Sequence, residues 1–421
     1  MTLKGIKVRL DPTPSQERML LSHAGAARFA YNFMLGMVKA AVAGRVGRFG
    51  WSKAQLRRVW NSWKADVAPW SAGNSKEAYS YGVECLANAL KNWSDSKHGK
   101  REGPKMGFPK CRVRSKHMKF AYTTGSFGLI NGDPKALKLP RIGRVHCFED
   151  MGKRVGDGRV LRMTVSCSAG CWYASLTVEY PDPVAPAKPS GGTVGIDVGV
   201  KILATLSDGT VIDNPKHYKR NERKLRKAGK RLSCRVKGSN RWKKASLAVQ
   251  KVQARTAAQR HDTINRATTM IAQTYGTTVI EDLNVAGMKR NRHLAKAVSD
   301  AGFGEFRRQL AYKCLDSGAT LVVADRWYPS SKTCSGCGTV KAKLSLADRV
   351  FVCDNLSCGY AREGVDRDWN AAVNLEHYVA PSAAGDAKRA RRNRKTTGPR
   401  QAGNAGPCET RTKQNAPISV Q

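Results

Sequence analysis

The chain has 421 residues and carries 74 lysines and arginines against 32 aspartates and glutamates, a formal net charge of +42. Its hydrophobic content of 41 % is too high for a wholly disordered chain, and at roughly 100–200 residues per domain the length predicts two to four domains. The charge predicts a polyanionic partner, and nucleic acid is favoured over a membrane because no basic amphipathic helix or lipid motif occurs. The N-terminus lacks the apolar segment of a signal peptide, so we expect a cytoplasmic, nucleoid-associated protein with reduced thiols.

The N-terminal part of the sequence predicts a strand-rich domain interrupted by helices. Residues 3–10 alternate apolar and basic side chains, which is typical of a strand. Thr13, with Pro14 next to it and Gln16 three residues on, predicts a capping box at the start of a helix. Helical patterns continue to about residue 95. Five of the nine tryptophans lie in this stretch, where they either fill a helical core or stack on nucleic-acid bases.

Strands are predicted again between 120 and 180, and after a linker at 186–192 the pattern becomes α/β. The predicted elements of this second half are strands at 193–200, 202–206, 210–212, 278–283 and 320–324, a helix from Phe303 that Gly318 stops, and a last helix at 368–378. Residues 381–421 lack periodicity and predict a disordered basic tail.

A strongly basic stretch, residues 216–260, contains 17 lysines and arginines against one acid, Glu222. Scattered apolar residues predict that it forms a long helix or a helix pair. This charge excess is larger than solubility requires, so we expect it to contact nucleic-acid phosphates without reading the sequence. Seven side chains of the stretch are the predicted contacts: Lys224, Arg226, Lys227, Lys230, Arg231, Lys243 and Lys244.

Three acids in the second half occupy positions where an apolar or neutral residue would be expected. Asp197 lies inside an apolar strand between two glycines, Glu281 ends another apolar strand, and Asp368 lies at the start of the last helix. If they converge, they form a site for two Mg²⁺ ions that hold a phosphate and activate water. Each acid also has a structural explanation: Asp197 as a turn residue or the acid of an actin-like ATPase, Glu281 as a strand cap and Asp368 as a helix N-cap. Asp366 competes with Asp368 for the third position. The order strand–acid, strand–acid, acid–helix is typical of an RNase H-like nuclease.

Four of the twelve cysteines are clustered. Cys334 and Cys337 form a C-x2-C pair, and Cys353 and Cys358 form a C-x4-C pair shortly after it. Four thiolates at this spacing predict one structural Zn²⁺ site, with no open coordination position for catalysis. Because the cluster lies between the second and third acids, we expect it to fix the loop that delivers Asp368.

Several segments of the chain resemble the TnpB family, transposon-encoded proteins similar to the small type V CRISPR effectors. The resemblance extends over about residues 1–378 and is carried by Val8–Pro14, Ala27–Asn32, Val194–Asp197, Val279–Asn284, Asp325–Cys334 and Asp366–Ala372. Two departures from the family pattern are the four-residue gap between Cys353 and Cys358 and the tryptophan at position 369.

The resemblance implies an α+β multidomain fold. Its expected parts are a wedge-like β-barrel at 1–12 and 96–185, a helical recognition insertion at 13–95, a RuvC nuclease domain (RNase H-like α/β) at 193–328 and 362–380, and an inserted zinc ribbon at 329–361. Asp197, Glu281 and Asp368 fall on the RuvC triad, and the four cysteines fall on the zinc ligands.

The function that the resemblance implies is RNA-guided cleavage of double-stranded DNA next to a short transposon-associated motif. The implied partners are a guide RNA from the transposon end and target DNA, with the protein acting as a monomer. Alternatives that the sequence leaves open are a miniature CRISPR effector with the same chemistry, a nuclease-dead RNA-guided repressor and a conventional transposase. All three acids are present, whereas a nuclease-dead repressor would be expected to lose one or more of them.

Overall fold

The computed structural model describes residues 2–114, 117–181, 188–345 and 347–378. The predicted tail at 381–421 lies outside these ranges. Contacts divide the chain into two compact units, the first made of Met1–Pro189, Pro215–Gln273 and Lys289–Gly318, the second of Ser190–Asn214, Thr274–Met288 and Ala319–Gln421. No helix within the described ranges is both long enough and apolar enough to cross a membrane.

Fourteen strands and ten α-helices occur among the described residues. The strands are β1 (Thr2–Asp11), β2 (Lys119–Tyr122), β3 (Gly128–Ile130), β4 (Asp133–Leu139), β5 (Gly143–Cys147), β6 (Arg159–Ser168), β7 (Cys171–Tyr180), β8 (Gly191–Val198), β9 (Ile202–Leu206), β10 (Val211–Asp213), β11 (Tyr275–Glu281), β12 (Thr320–Ala324), β13 (Val350–Phe351) and β14 (Val365–Asp366). The helices are α1 (Pro14–Val42), α2 (Lys53–Val67), α3 (Lys76–Lys97), α4 (Met151–Val155), α5 (His217–Ser233), α6 (Asn240–Thr274), α7 (Val285–Met288), α8 (Ala295–Ala301), α9 (Phe303–Asp316) and α10 (Arg367–Glu376).

The first unit contains a seven-stranded antiparallel sheet in the order β2-β6-β7-β1-β5-β4-β3. The strand predicted at 3–10 is confirmed as β1, whose alternate residues Ile6, Val8 and Leu10 are buried in the core. The edge strands β2 and β3 are only four and three residues long, and among the described residues they do not pair with each other. The hydrogen bonds of the described strands therefore leave this sheet open between β2 and β3, and the wedge-like β-barrel stays a prediction.

Helix α1 begins at the predicted N-terminal signal, and α2 and α3 lie in the stretch predicted to be helical to about residue 95. The Thr13 capping box is confirmed, because its hydroxyl accepts from the Gln16 N–H and the Gln16 side chain accepts from the Thr13 N–H. Helices α1 and α3 cross closely at Gly82, where a Cβ would lie 2.1 Å from the Ala27 carbonyl oxygen. His23 of α1 is fully buried and accepts from the backbone N–H of Ser75, the N-cap of α3.

The tryptophans of the helical stretch have different environments. Trp60 is 3 % exposed and belongs to the core, and Trp51 and Trp93 are half-buried. Trp63 and Trp70 are 45 % and 58 % exposed. The core interpretation therefore holds for Trp60, whereas stacking on bases stays open for the exposed rings of Trp63 and Trp70, the latter in edge contact with Phe29.

The basic stretch forms a helix pair, α5 and α6, separated by a turn in which Gly238 has a φ of +88°. Together with α8 and α9 these helices belong to the first unit, with the N-terminal sheet. Lys4 of β1 forms an ion pair with Asp316 of α9 at 3.2 Å, and Gly170 between β6 and β7 lies against Leu247 of α6. The compact units thus divide the chain differently from the predicted domain boundaries, which remain predictions.

The second unit contains a five-stranded sheet in the order β10-β9-β8-β11-β12, in which β8, β11 and β12 are parallel. Strand β8 begins at Gly191, so the last two residues of the predicted linker are part of the strand. Gly191 pairs with Tyr275, and a Cβ at this position would lie 2.2 Å from the Thr274 carbonyl oxygen. Helix α10 covers one face of this sheet, and β13 pairs with β14 in a separate ribbon.

Candidate active site and metal-binding site

Asp197 and Glu281 lie side by side at the carboxyl ends of two neighbouring parallel strands. The register pairs Ile196 of β8 with Ile280 of β11, so the next residues along, Asp197 and Glu281, are level with each other. Side chains at the same level of adjacent strands point to the same face of a sheet. The structure therefore brings the first two predicted acids together.

Helix α10 packs on that same face. Gly195 is two residues before Asp197 and so shares its face. A Cβ on Gly195 would lie 1.9 Å from the Ala372 carbonyl oxygen and 2.4 Å from the Glu376 nitrogen. The glycine therefore allows the backbone of α10 to lie directly on β8. The indole Nε1 of Trp369 donates to the Ser207 carbonyl at 3.0 Å and ties the start of the helix to the end of β9.

The two acids near the start of α10 have different structural roles. Asp366 is the N-cap, and its side chain accepts from the Trp369 N–H at 2.9 Å. Asp368 lies in the first turn, with only 14 % of its side chain exposed. Its two carboxylate oxygens lie 4.0 Å from Arg349 Nη1 and 3.8 Å from Arg367 Nε. The N-cap role that the sequence allowed for Asp368 is thus taken by Asp366.

The pKa of the Asp197 carboxyl is raised well above its ordinary value. Burial is the largest cause, and the nearby negative charges of Glu281 and Asp368 come next. The guanidinium of Arg367 opposes the shift, and Asp366 adds less to it than Asp368 does. Glu281 and Asp368 therefore lie close enough to Asp197 to disfavour its charged form.

Carboxylate oxygens grouped in this way are the ligands that Mg²⁺ prefers. Among the described residues, the four cysteines are the one group of possible ligands whose atoms all lie within 4.8 Å of one another. The three carboxylates are therefore more widely spaced than that. Two ions roughly 4 Å apart span a wider set of oxygens than a single ion needs. The carboxylates around Asp197 outnumber the guanidinium groups near them, Arg367 and Arg349, so the net negative charge fits divalent cations.

The four predicted cysteines meet at one point. Their sulfur atoms all lie within 4.8 Å of one another, with Cys334 to Cys358 at 3.7 Å and Cys337 to Cys353 at 3.5 Å. Four ligands at a Zn–S distance of about 2.3 Å in a tetrahedron would be separated by about 3.8 Å. The donor set and spacing therefore fit one tetrahedral metal ion, and the longer C-x4-C gap does not open the site.

Local backbone structure shapes the cysteine site. Cys334 and Cys353 are buried around Phe351, whereas Cys337 is exposed. The Thr339 hydroxyl lies 3.3 Å from Cys337 Sγ, and together with the Thr339 backbone N–H it lowers the pKa of Cys337 to about 6. It is the one thiol of the four whose pKa is lowered, whereas burial raises the pKa of Cys334 and of Cys353.

The seven basic residues predicted to contact nucleic acid all lie on α5 or the first turn of α6. Every one of them is exposed, and none forms an ion pair with a described residue: Lys224, Arg226, Lys227, Lys230, Arg231, Lys243 and Lys244. Glu222, the single acid of the stretch, pairs with Lys296 at 3.8 Å. These positive charges are therefore available to a polyanion.

Sequence reasoning missed three polar residues next to the acids. Ser330 is buried and its hydroxyl donates to Glu281 Oε1. Asn370 and Asn374 are also buried, on the inner face of α10. The available signal was their four-residue spacing, because polar residues on the buried stripe of a helix need partners.

Three family models match the chain. The OrfB_IS605 model, described as a probable transposase, matches residues 175–292. The TNB-domain model of Cas12f1-like proteins matches 303–375, which includes the four cysteines and α10. A helix-turn-helix model matches 1–45, where the structure has strand β1 followed by the single helix α1.

Relatives with similar sequences extend over nearly the whole chain. A protein of Streptomyces pristinaespiralis named "Putative RNA-guided DNA endonuclease" is 35 % identical over 94 % of both chains. A protein of the same description from Mycobacterium tuberculosis is 34 % identical over 100 % of this chain and 96 % of its own. The fold is similar to Cas12f1 in its complex with sgRNA and target DNA, with a TM-score of 0.50, 14 % identity, and coverage of 89 % of this chain and 98 % of that one. By these matches the chain belongs to the TnpB family that its sequence segments resemble.

Proposed function

We propose that this protein is an RNA-guided, Mg²⁺-dependent DNA endonuclease that cuts double-stranded DNA through one RuvC-like site. The observation that carries the proposal is the register of β8 and β11, which sets Asp197 beside Glu281 under the helix that bears Asp368. The names of the relatives support RNA guidance and DNA as substrate. The short transposon-associated motif beside the cut is proposed from family membership.

The three acids are proposed to hold the metal ions and the scissile phosphate in one geometry. Asp197 and Glu281 project from adjacent rigid strands, so their separation is fixed before substrate arrives. Asp368 approaches from α10, whose first turn is fixed by the Asp366 cap. Bound Mg²⁺ supplies charge stabilisation at the phosphate and lowers the pKa of the attacking water. Arg349 and Arg367 lie close enough to Asp368 to limit its repulsion of the DNA backbone.

The cysteine site is proposed to hold one structural Zn²⁺ within a zinc ribbon for target nucleic acid. Its four sulfurs would fill all four coordination positions of the ion, so no position is left for a substrate or water, and the site serves folding and positioning. The ribbon of β13 and β14 ends at Asp366, so the metal site and the start of α10 are parts of one local structure.

The partners are proposed to be a guide RNA from the transposon end and target double-stranded DNA, bound by one protein molecule. The exposed, unpaired basic side chains of α5 and α6 are the proposed phosphate contacts. The alternative of a miniature CRISPR effector has weaker support, because Cas12f2 from a Micrarchaeota archaeon is 26 % identical over only 54 % of this chain.

Substitution of Asp197 tests the proposal. The protein is purified with its RNA, the RNA is sequenced, and a plasmid library with a matching target and randomised flanks is offered as substrate. We expect the wild type to cut in Mg²⁺ and Asp197→Ala to lose more than about 100-fold in rate while it still binds RNA and DNA. Asp213→Ala, an exposed acid at the end of β10, is the matched control. Full cleavage by Asp197→Ala would show that the site is assigned wrongly.

A further inference from the structure

A buried hydrogen-bond network joins helix α10 to the segment that enters the cysteine site. Asn370 and Asn374 of α10 are 0 % and 5 % exposed. The side-chain amide of each donates to the Thr333 carbonyl at 2.7 Å, and that of Asn374 also reaches the Ser330 carbonyl at 2.8 Å. Helix α10 and residues 330–333 are therefore held together by side-chain bonds to backbone.

At one end this network reaches a proposed catalytic acid. Ser330 is 2 % exposed, and its hydroxyl donates to Glu281 Oε1. A donor on one carboxylate oxygen restricts rotation of the carboxylate and leaves the other oxygen to face a cation. Tyr328, two residues earlier, donates its hydroxyl to the Asn374 carbonyl at 2.9 Å, which is a fourth hydrogen bond between residues 328–333 and α10.

At the other end the network encloses a cysteine. Asn370 receives the Ser335 N–H on its side-chain oxygen at 2.9 Å while its amide donates to the Thr333 carbonyl. Cys334, 1 % exposed, lies between these two residues. One asparagine therefore fixes the backbone on both sides of a proposed metal ligand, and a shift of Cys334 must move α10 or break these bonds.

We propose that the cysteine site controls the acid site through a clamp formed by Ser330, Asn370 and Asn374. A metal held by the four thiolates would fix residues 333–335, the two asparagines transmit that position to α10 and Asp368, and Ser330 orients Glu281. This inference rests on the proposed function, because it assigns a task to Glu281 and Asp368. The three clamp residues are positioning residues, since Ser330 touches Glu281 and the two asparagines touch backbone, and none of them is placed at the reacting phosphate.

Two adjacent serines provide a matched test. In the full-length, Zn²⁺-loaded protein with its RNA, Mn²⁺ binding is measured by titration calorimetry and the Mg²⁺ dependence of cleavage is measured in parallel. Ser330→Ala should weaken Mn²⁺ binding about 10- to 100-fold, with RNA binding and zinc content unchanged. Ser331→Ala makes the same change at a hydroxyl with no hydrogen-bond partner among the described residues, and it should match the wild type. Equal Mn²⁺ affinity of the two variants would overturn the clamp.

A double-mutant cycle tests the coupling to the cysteine site. Cys337→Ser alters the exposed ligand, and it is combined with Ser330→Ala. Mn²⁺ affinity is compared among the wild type, the two single variants and the double variant. If the clamp transmits the effect, the combined loss should be smaller than the product of the two single losses, whereas a simple product would overturn the coupling. A wild type that binds Mn²⁺ but cuts no DNA would refute the proposed function, and Mn²⁺ affinity would still decide on the clamp. Mn²⁺ binding by the wild type should also be lost in Asp197→Asn. If the two proteins bind Mn²⁺ equally, or neither binds it, both the clamp and the proposed function are overturned.

Discussion

At the scale of single residues, the charged form of Asp197 is disfavoured in the acid site. The Asp197 carboxyl is buried beside Glu281 and Asp368, and each of these environments raises its pKa. A group whose pKa is higher in the folded state stabilises the fold only while it is protonated, and this contribution is lost as pH rises through the folded pKa. The contribution of this one carboxyl to the stability of the metal-free protein therefore falls as pH rises above the ordinary range of an aspartate.

Asp197→Asn removes the charge while nearly preserving shape. In EDTA at about pH 7.5 we expect the variant to melt about 2–4 °C above the wild type, because the like-charge repulsion and the cost of burying the charge are gone. At about pH 4 the wild-type carboxyl is itself protonated, so the difference should shrink. Differential scanning calorimetry at both values measures this. A lower melting temperature for Asp197→Asn at the higher pH would contradict it.

The neighbouring acids Asp366 and Asp368 can be separated by the same substitution. Asparagine caps helices about as well as aspartate, so Asp366→Asn should keep both the melting temperature and the cleavage rate close to wild type. Asp368→Asn should lose more than about 100-fold in cleavage rate, because a proposed metal ligand is lost. Parallel cleavage assays and thermal melts decide between the two acids, and the reversed outcome would make Asp366 the catalytic residue.

At the scale of elements, the contact between β8 and α10 determines whether the site exists. Gly195→Ala would place a methyl group 1.9 Å from the Ala372 carbonyl oxygen, so strand and helix must separate. We expect a loss of about 1–3 kcal/mol in the free energy of unfolding, together with reduced cleavage. Gly192→Ala, in the same strand with nothing within 4 Å of its Cβ, is the control and should be tolerated. Urea unfolding curves measure both variants, and equal midpoints would contradict the role given to Gly195.

Local chemical signals predicted the elements well. The Thr13 capping box, the alternation of β1 and the glycine that follows α9 each depend on residues close in sequence, and each appears in the structure. Partners that are distant in sequence left no such signal. Pattern alone did not reveal that Ser330 meets Glu281, nor that the sheet of the first unit stays open. The sequence indicated that Asp197 and Glu281 matter, but their adjacency depends on strand register, which only the fold defines.

At the scale of the whole molecule, the dominant property is a formal charge of +42. The seven exposed basic side chains predicted as contacts are a concentrated part of it. Their phosphate contacts would release counterions, so affinity for RNA should fall steeply with salt.

Replacing Lys224, Arg226 and Lys227 together by glutamine tests this contribution. Each lost phosphate contact should reduce the slope of log affinity against log salt by about 0.7 for single strands and about 0.9 for a duplex, so three lost contacts should reduce it by about 2–3. The variant should melt like the wild type, since all three side chains are exposed. Filter-binding measurements over a range of KCl concentrations give the slope. An unchanged slope would remove these residues from the interface.

The second unit is built from three separated stretches of chain, and this has a consequence for how the protein is made. A ribosome completes Asp197 first, then Glu281, and Asp368 only near the end of the described chain. At about 5–20 residues per second, the interval between the last two acids amounts to several seconds. All residues of the first unit, including the basic helices α5 and α6, are synthesised before Asp368. We therefore expect that a nascent chain can already associate with RNA while it is still unable to cut DNA. RNA binding would then precede completion of the acid site.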